Sequence, residues 1–138
     1  TLLSELIAAQ TELPRKKYTF VIETADSLFT GLIGINIGKP RYSNAEIWYK
    51  IHPDYWNKGY ATSAVNTVLH FCFTTLDLHR VEAGCAVANT ASVKVLEKAG
   101  MIKEGTSRKL LPIRGEWFDG HAYAILETDF YARNQSAV

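Results

Sequence analysis

The sequence predicts a single domain of the α/β (α+β) class, and three observations lead to this prediction. Short segments rich in branched and aromatic residues alternate with segments whose apolar residues recur every three or four positions. These segments follow the order helix, three strands, helix, strand, helix and two strands. The length of 138 residues suits one domain with a buried core. We therefore expect residues 1–138 to form one domain without internal linkers.

Each element is predicted from its own pattern. Residues 1–13 place their apolar side chains on one face of a helix, which Pro14 ends because proline cannot continue it. Residues 18–24 and 29–37 are typical of two strands in a hairpin. The later elements are predicted as a strand at 45–51, a helix from Gly59 to about Leu78, a strand at 80–87, a helix at 90–99, and two final strands at 101–112 and 116–131.

Composition excludes several function classes. The chain has fifteen Lys and Arg residues and fourteen Asp and Glu residues, so its net charge does not indicate a nucleic-acid or polyanion binder. No apolar run approaches a membrane span, and no signal-peptide pattern opens the chain. The two cysteines form no CxxC motif, and the four histidines have no metal-ligand spacing. We expect a soluble, cytoplasmic domain with reduced thiols and no metal.

The loop WNKGYA at residues 56–61 lies between the central strand and the long helix. The first N–H groups of a helix are unpaired and its dipole is positive there, so an anion is stabilised. Gly59 allows a bulky anion to approach the backbone, and Lys58 adds a positive charge. The spacing matches neither GxxxxGK[ST] nor GxGxxG. The loop is therefore a candidate phosphate site; the alternative is a glycine turn without a ligand.

This loop resembles motif A, [QR]xxGx[GA], of the GCN5-related N-acetyltransferases (GNAT). Gly59 and Ala61 occupy its small positions, and Trp56 stands where many members have Gln or Arg. The segment from Asn89 to Met101 resembles the family pattern NxxSxxxxxxxGF. Together with YWxKGYA, it resembles most the ribosomal-protein N-terminal acetyltransferase branch. The resemblance implies the GNAT acyl-CoA N-acyltransferase fold, with a mixed, mostly antiparallel sheet flanked by helices. Because that family begins with one more strand and helix, we expect an N-terminal truncation.

The resemblance implies acetyl-CoA as co-substrate. Its pyrophosphate is expected on the loop amides of residues 57–62, and its pantetheine arm on the backbone of the strand at 45–51, which splays from its neighbour in the family. Asn89 is expected to cap a helix and to contact the arm, whereas Lys94 and Lys98 either face phosphates or remain solvated. The expected cofactor-binding residues are Tyr49, Lys50, Ile51, Trp56, Asn57, Lys58, Gly59, Tyr60, Ala61, Thr62, Asn89 and Lys94.

Two catalytic residues are implied by the same resemblance. Glu46 lies in an Ala-Glu-Ile segment that resembles the position of a catalytic base, which must deprotonate the attacking ammonium. A solvent-facing strand carboxylate, or one paired with Arg41, is the alternative. Leu96 stands where many relatives have a tyrosine that protonates the departing thiolate. The ribosomal branch uses a serine at the Ser92 position for this role instead. Ser92 otherwise only supports the helix start. The competitors of Glu46 for the base are Glu82, Glu116 and Asp119.

The resemblance implies direct acetyl transfer in a ternary complex. The expected acceptor is a primary amine, namely a protein or peptide N-terminal α-amine. A small amine such as a polyamine, amino sugar or drug is the first alternative, and a non-catalytic acyl-CoA-binding module is the second. The hairpin at residues 114–120 resembles the segment that shapes the acceptor site in the branch. Acetyl-CoA and the amine are the expected partners, with no nucleic acid or membrane, and a homodimer is left open.

Overall fold

A computed structural model describes residues 2–6 and 16–135 of the chain. Seven strands form one sheet in the order β1-β2-β3-β4-β5-β7-β6. The strands are β1 (Leu2–Leu6), β2 (Lys17–Glu23), β3 (Phe29–Ile37), β4 (Asn44–Ile51), β5 (Arg80–Ala86), β6 (Ile102–Ile113) and β7 (Glu116–Leu126). The α-helices of the described part are α1 (Tyr60–His70), α2 (Thr90–Lys98) and α3 (Glu127–Gln135).

The sheet is mixed and mostly antiparallel, as the family resemblance implied. All neighbouring strands pair antiparallel except β4 and β5, which run parallel. A parallel pair requires a crossover connection, and here α1 supplies it. Buried branched residues of the strands, including Ile35, Ile47 and Val81, join Val65 and Val68 of α1 in one core. Burial of this apolar surface is the main stabilising term of the fold.

The helix predicted over residues 1–13 is wrong for its first part. Leu2–Leu6 forms β1, which pairs antiparallel with β2 and places Leu3 opposite Ile22. Without a partner, the outer edge of β2 would expose a row of backbone N–H and C=O groups. Pairing with β1 satisfies these groups, and this long-range gain overrides the local helical pattern. The remaining residues of the predicted helix lie outside the described residues.

The last predicted strand, 116–131, is also too long. Strand β7 ends at Leu126, and α3 begins at Glu127. The Asp129 carboxylate accepts a hydrogen bond from the Leu126 N–H at 3.1 Å, and Phe130 is buried. An acidic first turn is stabilised by the helix dipole, so the pair Glu127 and Asp129 was the sequence signal for this helix.

The long helix ends earlier than predicted. Helix α1 stops at His70 and continues as a single π-helical turn, Phe71–Thr75. Asp77 then adopts a positive φ of 54°, which an α-helix does not tolerate. The chain therefore leaves the helix before Leu78 and enters β5.

Strands β4 and β5 separate along their length. Their parallel pairing covers three residue pairs, residues 44–46 with 80–82, although both strands continue well beyond them. Glu46 and Glu82 form the last of these pairs. Beyond that point the two strands enclose an opening in the sheet, as the sequence analysis expected from the family resemblance.

Candidate active site

A cleft of about 730 Å³ lies where the end of β4, the loop before α1 and the start of α2 meet. This volume falls within the range of about 300–1,000 Å³ that is typical of ligand sites. Eleven of the twelve residues predicted to bind the cofactor line it, and Ser92 lines it as well. The fold thus brings together residues that are separated by more than forty positions in the sequence.

Lys58 is the one predicted cofactor residue that does not line the cleft. Its Nζ lies 5.8 Å from the centroid of the Tyr55 ring, so its charge interacts with that ring. The lysines that do line the cleft are Lys50, Lys94 and Lys98, and no Asp or Glu is among its described lining residues. The charged side chains that line the cleft are therefore all positive, which suits a ligand with several phosphates.

The loop before α1 presents backbone amides to the cleft. The first hydrogen bond of the helix runs from the Ser63 N–H to the Gly59 C=O at 3.0 Å, so helix geometry provides no partner for the preceding amides. Gly59 has φ +83°, a conformation that residues with a side chain rarely adopt. A Cβ atom built on Gly59 would meet nothing within 4 Å. Open space above the amides is what an anion-binding loop requires.

Trp56 holds this loop against the end of β4. Its indole Nε1–H donates to the Ile51 C=O at 2.7 Å, while 59% of the residue stays exposed. Many family members have Gln or Arg at this position. In this chain the hydrogen bond of the indole stabilises the loop conformation. Sequence reasoning did not predict this contact, because the motif gives Trp56 no partner.

The backbone of β4 faces the opening in the sheet at Tyr49. The His52 N–H donates to the Thr30 C=O at 2.7 Å, which directs the backbone groups of residue 52 toward β3. Because these groups alternate along a strand, those of Tyr49 and Ile51 point away from β3 and toward β5. The Trp56 bond to the Ile51 C=O lies on that same side. An extended ligand therefore has a strand edge with which to pair.

The Tyr49 side chain forms a second feature of the cleft. Its hydroxyl lies 2.8 Å from the Ser92 hydroxyl, and the Ser92 N–H donates to the Asn89 Oδ1 at 3.1 Å. Burial raises the pKa of Tyr49, the Ser92 hydrogen bond lowers it in part, and Cys85 raises it. The phenol is therefore neutral at neutral pH. The family resemblance implies only a backbone role for Tyr49, and this contact could not be predicted because it depends on how α2 packs on β4.

Leu96, at the position of the family's usual tyrosine, belongs to the core. It is only 1% exposed and does not line the cleft. Asn89 caps α2 as predicted, since its side chain accepts from the Ser92 N–H. The hydroxyl groups that α2 and β4 bring to the cleft are therefore those of Ser92 and Tyr49.

Glu46 lies at the vertex of the opening, on the other face of β4. Side chains alternate along a strand, and Ala45 and Ile47 are buried while Glu46 is exposed. Tyr49 is an odd number of residues away, so its side chain is on the face opposite to that of Glu46. The structure thus separates the carboxylate from the hydroxyl pair by the thickness of the sheet.

The competing carboxylates have other surroundings. The Glu82 Oε2 accepts from the Arg80 Nε at 3.2 Å and from the Asn44 Nδ2 at 3.4 Å. The Asp119 Oδ1 accepts from the Lys109 N–H at 2.8 Å. Glu116 lies in the β6–β7 hairpin, together with Trp117 and Phe118, in a depression separate from the cleft. The structure therefore does not bring the hairpin aromatics to the cleft.

Neither cysteine is a nucleophile in this arrangement. Burial raises the pKa of Cys72 to about 12 within the core. Burial, and secondarily the charge of Glu97, raises the pKa of Cys85. Both thiols stay protonated at neutral pH, whereas a nucleophilic cysteine needs a lowered pKa.

The family resemblance implies acetyl transfer from acetyl-CoA, and on that expectation Cys85→Ala should keep its rate within about twofold of the parent, because a protonated thiol is not a nucleophile. The measurement is single-turnover transfer from acetyl-CoA at neutral pH. Trapping of an acetylated Cys85 by mass spectrometry, together with loss of transfer in the variant, would contradict direct transfer.

Among residues 2–6 and 16–135, no group of three or more His, Cys, Asp or Glu side chains is arranged to hold a metal ion. No described helix is both long enough and apolar enough to cross a membrane.

Comparison with known sequences identifies the family. The family described as acetyltransferase (GNAT) domain matches residues 3–102. The chain belongs to this family. It is 40% identical to the probable N-acetyltransferase YjcK of Bacillus subtilis over 83% of its own length and 64% of the relative. The chain spans slightly less than two thirds of the length of several curated relatives that it matches.

Two further comparisons concern the branch and the fold. The putative ribosomal N-acetyltransferase YdaF of Bacillus subtilis is 30% identical over 76% of this chain and 57% of that protein. A structure of the spermidine N-acetyltransferase SpeG from Vibrio cholerae superimposes with a TM-score of 0.81 and 28% identity, covering 88% of this chain and 72% of that one. The fold is therefore that of the GNAT acetyltransferases.

Proposed function

We propose that the chain is an acetyl-CoA-dependent N-acetyltransferase that transfers the acetyl group directly to a primary amine. The observation that supports this most strongly is the opening between β4 and β5, in a chain of the GNAT family. A phosphate-type loop lies at one end of the cleft, and the hydroxyls of Tyr49 and Ser92 lie within it. Acetyl-CoA has a matching order of phosphates, an extended arm and a reactive thioester.

The residues of the cleft fit the successive parts of acetyl-CoA. The amides of residues 57–62 would hold the pyrophosphate, with Lys94 and Lys98 adding charge. The edge of β4 around Tyr49 would pair with the amides of the pantetheine arm. An N–H of this edge would also polarise the thioester carbonyl. The co-substrate supplies an activated acetyl group, and the protein positions it.

Glu46 is the proposed general base, directly or through water. An ammonium group has no free electron pair and cannot attack a thioester, so a base must remove its proton. Glu46 lies at the vertex of the opening and is exposed, so an amine has access to it from the face of β4 opposite to the Tyr49 side chain. Glu82, beside it in the sheet, is already held by Arg80.

We propose a small amine, in place of a protein N-terminus, as the acceptor. The family resemblance implied a protein or peptide α-amine, and the chain is similar to one putative ribosomal N-acetyltransferase. The structure with a TM-score of 0.81 is a spermidine acetyltransferase. The exposed carboxylate of Glu46 at the vertex of the opening also favours a cationic acceptor. Spermidine is therefore the first acceptor to test.

The test measures thiol release from acetyl-CoA with a panel of amines: spermidine, an amino sugar, free amino acids and peptides with free N-termini. We expect amine-dependent thiol release and one acetyl group added to the acceptor by mass. Calorimetric binding of acetyl-CoA without thiol release for any amine would instead indicate a non-catalytic acyl-CoA-binding module.

We expect Ser92→Ala to lower single-turnover transfer by about ten- to a thousandfold, the range found for loss of one donor to a developing charge. The Michaelis constant for acetyl-CoA should stay unchanged, because the hydroxyl acts on the leaving sulfur. Ser107→Ala on the exposed strand β6 is the control. A Ser92→Ala variant with the parental rate would show that this serine only supports the start of α2.

A further inference from the structure

We propose that the Tyr49 phenol supplies the proton for the leaving thiolate, delivered through the Ser92 hydroxyl. The inference rests on the proposed function and adds a residue to it. The two hydroxyl oxygens are 2.8 Å apart, within hydrogen-bond distance, and both residues line the cleft. The family's usual position for an acidic tyrosine holds Leu96, which is buried in the core. A tyrosine from β4 thus provides the phenol that α2 lacks.

The chemistry favours the phenol over the serine as the final proton source. Burial raises the pKa of Tyr49 above the usual value of about 10, but an alkyl alcohol is still a far weaker acid, so a serine alone would not give up a proton to sulfur. A serine does accept one hydrogen bond while it donates another. The Asn89 side chain fixes the Ser92 backbone at the first turn of α2, and the Ser92 hydroxyl lies within the cleft at hydrogen-bond distance from the phenol.

The proposed step is balanced in atoms and charge. The C–N bond to the amine forms, the C–S bond breaks, and the electron pair of that bond leaves on sulfur. The Ser92 proton moves to sulfur as the Tyr49 proton moves to Ser92. The resulting phenolate then takes a proton from solvent, and the base has meanwhile accepted the proton of the amine.

The test compares Tyr49→Phe with the parent in single-turnover transfer to an amine that supports thiol release. We expect a loss of about ten- to a thousandfold with unchanged acetyl-CoA affinity. The double variant Tyr49→Phe/Ser92→Ala should lose no more than either single variant, because both interrupt one relay. Tyr123→Phe is the matched control, since Tyr123 is a buried tyrosine bonded to Glu97 outside the cleft.

A binding measurement separates this role from a structural one. An alkyl thiol ionises near about pH 8.5, so product CoA changes from thiol to thiolate between pH 7 and 9. In the parent, the ratio of CoA affinity to acetyl-CoA affinity should rise with pH over this range, because the site stabilises the thiolate. The total rise should be about tenfold for each unit by which binding lowers the pKa of the CoA thiol. Tyr49→Phe should flatten this rise. The acetyl-CoA reference cancels every effect of pH on the protein that changes the binding of both ligands equally.

The outcomes distinguish the inference from the function on which it rests. If acetyl-CoA does not bind the parent chain, the proposed function fails and the inference falls with it. If acetyl-CoA binds and transfer proceeds, but Tyr49→Phe keeps the parental rate and pH response, the proton comes from elsewhere and only this inference is overturned. Additive losses in the double variant would overturn the relay.

Discussion

Replacing Glu46 with Gln is expected to lower turnover at neutral pH by about 10²- to 10⁴-fold and to leave acetyl-CoA affinity unchanged. The amide keeps the shape of the side chain but cannot accept the proton of the ammonium. Because Glu46 does not line the cleft, its replacement should not disturb the cofactor loop. The measurement is kcat against pH with a thiol-release assay, and calorimetry with acetyl-CoA.

The control for this variant is Glu82→Gln. Glu82 pairs with Glu46 in the register of β4 and β5, but its carboxylate already accepts hydrogen bonds from Arg80 and Asn44. The Glu82 variant should therefore keep the pH profile of the parent. If Glu46→Gln retains full activity with an unaltered pH profile and Glu82→Gln loses it, the base is Glu82.

Replacing Gly59 with Val is expected to weaken acetyl-CoA binding by about ten- to a hundredfold. A side chain at φ +83° costs about 1–2 kcal/mol in the left-handed region, and more for a branched residue. The side chain would also occupy the open space above the loop amides. The measurement is calorimetric titration with acetyl-CoA, alongside the melting temperature.

The chain offers a matched control in the β6–β7 turn. Gly115 has φ +80° and, like Gly59, no atom within 4 Å of a built Cβ. It does not line the cleft. Gly115→Val should therefore lose a similar amount of stability but keep the affinity for acetyl-CoA. Equal affinity in the Gly59→Val variant and the parent would remove the pyrophosphate from this loop.

Much of the cleft was predictable because its signals are local. The turn to a helix at Gly59 is visible in the spacing of apolar residues that follow it, and Asn89 is a typical capping residue three positions before Ser92. These local signals, joined by the family resemblance, placed eleven predicted residues in one cleft.

The parts that the sequence did not reveal depend on contacts between distant segments. Residues 2–6 have a helical pattern but pair with β2, whose edge needs a partner. The hydrogen bond between Tyr49 and Ser92 spans 43 positions and requires the packing of α2 on β4. The side chain of Lys58 lies over the ring of Tyr55 and does not line the cleft. Local propensity contains no information on any of these contacts.

A crystal structure of the chain with acetyl-CoA tests the central claim most directly. We expect the pyrophosphate on the amides of residues 57–62, the pantetheine arm along the free edge of β4, and the sulfur within hydrogen-bond distance of the Ser92 hydroxyl. The acetyl carbonyl should lie in the opening between β4 and β5, reachable from the side of Glu46. Acetyl-CoA bound outside the cleft, or with its thioester away from this opening, would contradict the proposed site and mechanism.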